Sequence, residues 1–232
     1  MLRGVTGWVV AAAVVALVAG TGPAWSDDAQ DARQLVEKAK LTVEQFQTDS
    51  NMGSLRDLAK KAKGMLILPQ MVRAAFIVGG SGGSGVLMAR DEKAGKWNGP
   101  AFYTLGGASF GFQAGADAAE VVILAMTERG VTKLLSPQVK LGADVSVAAG
   151  PVGGGASAAT AGLSADLISF SIAKGLYGGF SVDGSVAGVR AALNEAYYGK
   201  PVTPADILIK GAVKNAHANG LMGAVAKLGG GR

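Results

Sequence analysis

The sequence contains no cysteine and only one histidine, and aromatic residues make up 6% of its 232 residues. A chain without cysteine forms no disulfide, holds no metal through thiolates and carries no acyl anchor on a cysteine. A single histidine without a carboxylate cluster at ligand spacing does not provide a metal site either. The low aromatic content argues against an outer-membrane barrel, which carries aromatic girdles at both membrane interfaces.

Glycine, in contrast, is abundant: the 36 glycines are roughly twice the ~7% share of an average protein. Proline is scarce and the charges are well mixed, so the composition is neither that of a collagen nor that of a disordered tail. Glycines among long apolar runs indicate bends, bulges and tight turns in a sheet protein. The net charge of +5 favours anionic partners but is not by itself typical of nucleic-acid binding.

Residues 1–26 have the features of a secretory signal peptide. Arg3 precedes the uncharged apolar run Val9–Ala19, and Ala24-Trp25-Ser26 places small residues at a cleavage site. The run is shorter than the roughly 20 residues that span a bilayer, which makes an uncleaved anchor the less favoured alternative. We therefore expect a mature chain that begins at Asp27, stays mildly basic and is exported to the periplasm or the medium.

Helices are predicted at both ends of the mature chain. Residues 29–47 form an amphipathic pattern with apolar side chains at helical spacing, and Ser54–Lys61 has a capping-box-like start at Ser54 and Asp57. Three more helices are predicted: from Thr127 to near Leu135, over Ala191–Tyr198, and from Thr203-Pro204-Ala205-Asp206 toward Gly220.

Ten short strands are predicted between these helices, on the basis of apolar runs and period-2 alternation. They are Met65–Leu68, Ala74–Val78, Val86–Ala89, Ala101–Leu105, Ser109–Ala116, Val121–Met126, Val139–Val147, Ile168–Ile172, Leu176–Val182 and Val186–Val189. Gly79–Gly85 is interpreted as a hairpin connection, Asp91–Lys96 as a polar turn and Ala149–Gly162 as a flexible loop. The close spacing leaves no room for βαβ units, which predicts a mainly β, α+β fold: an antiparallel barrel or sandwich with peripheral helices.

Two catalytic motifs occur in contexts that do not suit them. Gly80–Gly85 satisfies G-x-G-x-x-G, but a strand follows it where a dinucleotide site requires a helix N-terminus. Ser81 and Ser109 each lie in a G-x-S-x-G, but only His217 is available as a base, and Ser109 lies in an alternating strand. A serine hydrolase is therefore the least favoured hypothesis, and we predict that the protein is not an enzyme.

A basic cluster remains, formed by Arg56, Lys60, Lys61, Lys63 and Arg73 around a single acid, Asp57. Near an anionic membrane each base contributes about 1 kcal/mol, so together they favour weak, salt-sensitive binding. A solvated helix face without a partner fits the same pattern. Lys210, Lys214 and His217, at helical spacing, indicate a second and weaker basic face.

Several motifs resemble those of the SYLF-domain family. They are Ala62–Pro69, Ala75–Gly80 with Gly85-Val86-Leu87, Trp97–Tyr103, Gly111–Ala116, Lys174–Gly179 and Asn194–Gly199. The resemblance extends over about residues 32–212, so residues 27–212 are assigned to the domain. Residues 213–232 are assigned to the end of the C-terminal helix and a frayed tail.

The resemblance implies a β-barrel core with about three helices packed outside and flexible glycine-rich loops. It also implies non-enzymatic binding of anionic phospholipids or phosphoinositides without a cofactor. The positions that match the basic region of the family are Lys60, Lys61, Lys63 and Arg73. Phosphoinositides are scarce in most bacterial membranes, so we expect a general anionic phospholipid or a host lipid as ligand. The sequence shows no SH3 or FYVE domain, so we expect no actin role. The alternative is an envelope structural or adaptor protein that binds a protein partner.

Overall fold

The computed structural model describes residues 24–151, 164–173, 176–177 and 181–230. Within these residues the α-helices are α1 (Ala24–Thr48), α2 (Gly53–Ala59), α3 (Glu128–Leu134), α4 (Ala191–Tyr198), α5 (Pro204–Leu208) and α6 (Asn219–Leu228). The strands are β1 (Gly64–Asp91), β2 (Lys96–Ala125), β3 (Gln138–Lys140), β4 (Val147–Ala149), β5 (Leu167–Ala173), β6 (Leu176–Tyr177) and β7 (Val186–Val189). Short 3-10 helices occupy Ser50–Met52 and Ala216–Ala218.

Helix α1 confirms the amphipathic pattern predicted for residues 29–47. Its apolar stripe is buried, and consists of Ala32, Val36, Ala39, Val43 and Phe46. Helix α2 is also present, but the capping box predicted at Ser54 is wrong, because the residue that precedes the helix is Met52 and makes no side-chain cap. Asp57 instead pairs with Lys60.

Strands β1 and β2 form one long antiparallel ribbon, paired from Gly64 opposite Ala125 to Asp91 opposite Lys96. The predicted polar turn at Asp91–Lys96 is confirmed as the tip of this ribbon. The hairpin connection predicted at Gly79–Gly85 is wrong: these residues continue β1 and pair with β2 between Tyr103 and Ser109. Six of the short strands predicted before residue 127 are therefore segments of only two strands.

The ribbon curls until its two ends meet. An extended strand of 28 residues is about 90 Å long, yet the backbone N–H of Arg90 donates to the carbonyl of Lys63 at 2.8 Å. A register shift between Ala75 and Ile77 lies near the middle of β1, where an irregularity bends a strand. The result is a curled half-barrel.

The remaining strands extend the outer edge of β2 in the order β3-β7-β2-β5-β4. Their pairing is antiparallel except for β4, which runs parallel to β5, so the predicted purely antiparallel core is a mixed sheet. The strand predicted over Val139–Val147 is also corrected. Only its two ends are strands, and the chain turns between them through Gly142, whose φ is 85°.

Alternate residues of β2 serve two hydrophobic cores. Val122 and Leu124 pack in the core beneath α1, whereas Val121 and Ile123 pack in the core inside the curl. This double burial explains why the segment is apolar without interruption. The α+β, mainly β class with helices outside the sheet is confirmed, with six α-helices in the described ranges instead of about three.

The C-terminal helices follow their local signals. Helix α4 has the predicted bounds, and Thr203 and Asp206 form a complete capping box at the start of α5. The prediction that this helix runs toward Gly220 is wrong: it ends at Leu208, and Gly211 has a φ of 56° that stops helical continuation. Helix α6 then begins at Asn219.

Some predictions fall outside the described residues. These are residues 1–23 of the signal peptide, residues 152–162 of the predicted loop, residues 178–180 of the strand predicted at Leu176–Val182, and residues 231–232 of the tail. Gly229, in contrast, is described and buried. Among the helices that the structure describes, none is long and apolar enough to cross a membrane.

Candidate lipid-binding surface

The predicted basic cluster lies where α2 ends and β1 begins, but its members have different surroundings. Arg56 has a structural role, because its guanidinium donates to the carbonyls of Gln47 at 3.2 Å and Asp49 at 2.6 Å. These bonds satisfy backbone acceptors just at and beyond the end of α1. Its charge is therefore engaged inside the protein.

Lys63 is held between two carboxylates. Its ammonium donates to Glu128 at 2.8 Å and also to Glu92, and only 27% of its side chain is exposed. The hydrogen bonds to Glu128 and Glu92 raise the pKa of Lys63 and stabilise its charged form. Two acids against one base leave this point of the surface negative on balance.

Lys60 and Lys61 are exposed at the end of α2. Lys60 pairs with Asp57 at 2.9 Å, and this hydrogen bond lowers the pKa of Asp57. An exposed pair of this kind is worth little and opens readily. Lys61 belongs to no ion pair among the described residues. These two ammonium groups are the members of the predicted cluster that face solvent most openly.

Arg73 lies apart from the other predicted residues. It is opposite Asp117 in the β1–β2 register, nine positions beyond Gly64, which is about 30 Å along an extended strand. The structure thus brings Lys60, Lys61 and Lys63 together but leaves Arg73 further along the ribbon.

Arg90 joins this region to the end of the chain, a role that the sequence analysis missed. Its guanidinium donates to the carbonyls of Lys60 at 3.2 Å and Gly229 at 3.0 Å, and it lies 4.9 Å from the ring centroid of Trp97. A cation at two helix C-termini satisfies free carbonyls and offsets the negative ends of both helix dipoles.

This junction brings the C-terminal end of α6, which carries Lys227, next to the predicted cluster. Lys227 is exposed in the last turn of α6, and Gly230, three residues later, packs so closely on Lys60 that a Cβ there would lie 3.1 Å from Lys60 Cγ. We refer to Lys60, Lys61 and Lys227 as the terminal cationic surface. Lys227 could not be identified from the sequence, because it is more than 160 residues from Lys60.

The second basic face predicted at Lys210, Lys214 and His217 is wrong, since these residues do not share a helix. Lys210 pairs with Asp206 at 2.9 Å, and hydrogen bonds from Thr203 and then from Lys210 lower the pKa of Asp206. His217 lies in the second 3-10 helix. Its ring contacts Tyr197 Oη at 3.2 Å and Glu37 at 3.2 Å, so it links α4 to α1.

The two catalytic motifs lie in regular strands. Gly80–Gly85 belongs to β1 with no helix after it, while Ser81 and Ser109 belong to β1 and β2. The described polar contacts of His217 involve Tyr197, Glu37 and Asn215, and neither serine. In the described ranges, no group of three or more histidine or acidic side chains has the arrangement of a metal site.

The family model described as "Ysc84: Las17-binding protein actin regulator" matches residues 106–228. The chain belongs to the Ysc84 family. This confirms the resemblance to SYLF domains predicted from the motifs. The match of the Ysc84 model begins within β2, so it includes Lys227 but not Lys60 and Lys61.

Curated relatives of the Ysc84 family include two yeast proteins and a human one. "LAS seventeen-binding protein 3" of Saccharomyces cerevisiae is 35% identical over 162 residues, which cover 68% of this chain and 35% of the relative. "Protein YSC84" of the same species is 36% identical over 160 residues, 67% of this chain and 33% of the relative. "SH3 domain-containing YSC84-like protein 1" of Homo sapiens is 32% identical over 163 residues, 69% of this chain and 47% of the relative. The chain thus spans between a third and half of these relatives.

Proposed function

We propose that the protein is a non-enzymatic, peripheral binder of anionic lipid surfaces and that the terminal cationic surface makes the contact. The observation that carries the proposal is the meeting of α2 and α6 through Arg90, which sets the exposed Lys60 and Lys61 beside Lys227. Three bases near an anionic bilayer contribute about 3 kcal/mol in total, at about 1 kcal/mol each. Binding is then weak and falls with ionic strength.

Within this proposal Lys63 and Arg73 have smaller roles than Lys60 and Lys61. Glu92 and Glu128 compensate the charge of Lys63, so a lipid phosphate would have to displace them. Arg73 is remote along β1 and meets a bilayer only if the protein lies with the ribbon against it. The ligand we propose is any anionic phospholipid, phosphoinositides included, since exposed ammonium groups act as point charges and select charge rather than headgroup shape.

Replacing Lys60, Lys61 and Lys227 by glutamine should weaken binding to vesicles rich in anionic phospholipid about 100-fold, since about 3 kcal/mol is lost. The measurement is co-sedimentation with vesicles at low ionic strength. The matched control replaces Lys140, Lys200 and Lys214, three exposed lysines elsewhere in the fold, and removes the same net charge. Equal losses in both variants would show that only net charge matters, and absence of binding by the unmodified protein would overturn the proposal.

We also propose that the protein is exported and that residues 1–26 are its signal peptide. Cleavage after Ser26 would remove the first three residues of α1 and leave Asp27 and Asp28 at the new helix N-terminus, where acidic side chains are favourable. The intact mass of the protein recovered from envelope or medium should correspond to a chain that begins at Asp27. Recovery of the full-length mass from the cytoplasm alone would contradict export.

A protein partner is the second candidate function. The relatives are named for binding Las17 or for an SH3 domain, and the matching family model is described as an actin regulator. Saturable capture of one protein by the purified chain, with no change when Lys60, Lys61 and Lys227 are replaced, would favour this function over the lipid proposal.

A further inference from the structure

A cleft of about 330 Å³ opens at the side of the sheet that α1 covers. Its volume is at the lower end of the range for small-molecule sites, roughly 300–1,000 Å³. The cleft lies between α1, β1, β2 and β5, away from the terminal cationic surface. Its lining residues are Gln45, Pro69, Gln70, Ala118, Ala119, Glu120 and Ile172.

Glu120 is the unusual member of this lining. It interrupts the apolar segment of β2 and alternates with Val122 and Leu124, which pack beneath α1, so its side chain is directed toward the same interface. Its Oε2 atom is buried and has no hydrogen-bond partner among the described residues. The Oγ1 atom of Thr42, on α1, is buried and unpartnered as well.

The unpartnered Oε2 of Glu120 leaves the cleft short of a hydrogen-bond donor. Desolvation raises the pKa of Glu120, and the nearby hydroxyl of Thr42 opposes this rise. None of the lining residues is basic. Glu120 is only half-buried, but its recessed Oε2 has no partner, so a ligand that brings a positive charge and a donor gains by pairing with this carboxylate.

The rest of the cleft suits an apolar tail. Pro69, Ala118 and Ile172 line it with carbon. Two exposed apolar side chains lie on the bordering elements: Leu41, 62% exposed and one turn before Gln45, and Val72, 42% exposed and opposite Ala118 in the strand register. Apolar surface beside a single acidic group matches an amphiphile with one cationic end.

We propose that this cleft binds a small alkylammonium, a primary amine with a short unbranched tail. An ammonium group has three donors. They would be used by the Glu120 carboxylate and by the carboxamide oxygens of Gln45 and Gln70, which all line the cleft. A guanidinium is planar and wider, whereas a compact ammonium reaches a single recessed carboxylate more easily. This site is independent of the lipid proposal, since the two share no residue.

The test is an NMR titration of the full mature chain with hexylammonium, hexanol and hexanoate. Hexylammonium should shift the backbone amides of Thr42, Gln70 and Glu120 and bind at least tenfold more tightly than hexanol, while hexanoate should not bind. Glu120→Gln should lose at least tenfold in affinity for hexylammonium and keep its affinity for hexanol. Because glutamine is neutral and of the same size, this variant should fold at least as well as the natural chain.

Glu44→Gln is the matched control, since Glu44 is an exposed glutamate of α1 that pairs only with Lys40 among the described residues. Its affinity for hexylammonium should be unchanged. The proposal is overturned if hexanol binds as tightly as hexylammonium, if Glu120→Gln retains the affinity, if Glu44→Gln loses as much as Glu120→Gln, or if no amide around the cleft shifts.

Discussion

Replacing Gly85 by alanine should destabilise the protein by about 3 kcal/mol, the upper part of the range for overpacking a core. A Cβ at Gly85 would lie 2.3 Å from the carbonyl oxygen of Ile67 and 2.9 Å from Leu68 Cγ. Both contacting atoms belong to the first half of β1, which the curl brings against the second half, where Gly85 lies. The carbonyl is part of the backbone and cannot rotate aside, so the two halves of the strand must move apart.

The matched control for this prediction is Gly82→Ala, three residues earlier in the same strand. A Cβ there has ordinary contact only, with the carbonyl of Leu105 at 3.8 Å. The substitution should be neutral or stabilise by a few tenths of a kcal/mol, because alanine restricts the unfolded chain. Urea unfolding followed by far-ultraviolet circular dichroism gives both values. Similar unfolding free energies for the two variants would contradict the close approach of the two halves of β1.

These glycines also show why the sequence misled about β1. A run of glycines flanked by apolar segments is typical of a hairpin loop. The same run also occurs when packing against a distant part of the chain requires glycine. Gly83 and Gly85 leave no room for a Cβ because residues 67–71 pack against them, whereas a Cβ at Gly80 or Gly82 would make only ordinary contacts. The sequence does not distinguish these two causes, since the contact depends on the curl of the whole ribbon.

Signals confined to one turn of backbone were more reliable. Thr127 accepts the Gly130 N–H and caps α3 as predicted, and Thr203 caps α5 as predicted, because a cap needs only residues within reach of the helix start. Over Val139–Val147 burial was predictable while the backbone was not. Val139, Leu141 and Val145 are all buried, but Val145 reaches the core because the chain turns at Gly142 and not because the strand continues.

The candidate site was predictable only in part for a related reason. The cluster of bases in and after α2 is visible in the sequence, but Glu92 and Glu128 lie 29 and 65 residues from Lys63. Arg90 and Lys227 likewise reach the surface through tertiary contacts. One signal was available and missed: a lone acid within an apolar run, which describes Glu120 and marks a buried carboxyl with a structural or binding role.

Asp166 is a buried acid, and replacing it by alanine should cost about 3 kcal/mol. Only 7% of the residue is exposed. Its carboxylate accepts from Thr127 Oγ1 at 2.6 Å and from Ser146 Oγ at 2.9 Å, with Arg129 Nε at 3.9 Å. The hydroxyl of Thr127 also accepts the backbone N–H of Gly130, and the hydroxyl of Ser146 accepts that of Asp166. Removal of the carboxylate leaves two donors unsatisfied between α3, β4 and β5.

The pH dependence of stability tests whether the ionised form of Asp166 is the one that stabilises the fold. The hydrogen bond from Thr127, followed by those from Ser146, lowers the pKa of Asp166 below its ordinary value. The stabilisation is therefore complete above the unfolded pKa of about 3.9 and is lost as the pH falls through the lower folded value. The difference in unfolding free energy between the natural chain and Asp166→Asn should be constant above about pH 5 and shrink below about pH 4.

This difference isolates Asp166, because the other acids of lowered pKa, Asp57 and Asp206, are present in both proteins and cancel. The control is Asp144→Asn, since Asp144 is exposed and accepts a single backbone N–H, from Lys140 at 2.7 Å. Its effect should be at most about 1 kcal/mol, the value of one exposed hydrogen bond. If Asp166→Asn costs no more than Asp144→Asn, or if its cost does not change between pH 5 and pH 3, the junction of α3, β4 and β5 is not held by an ionised carboxylate.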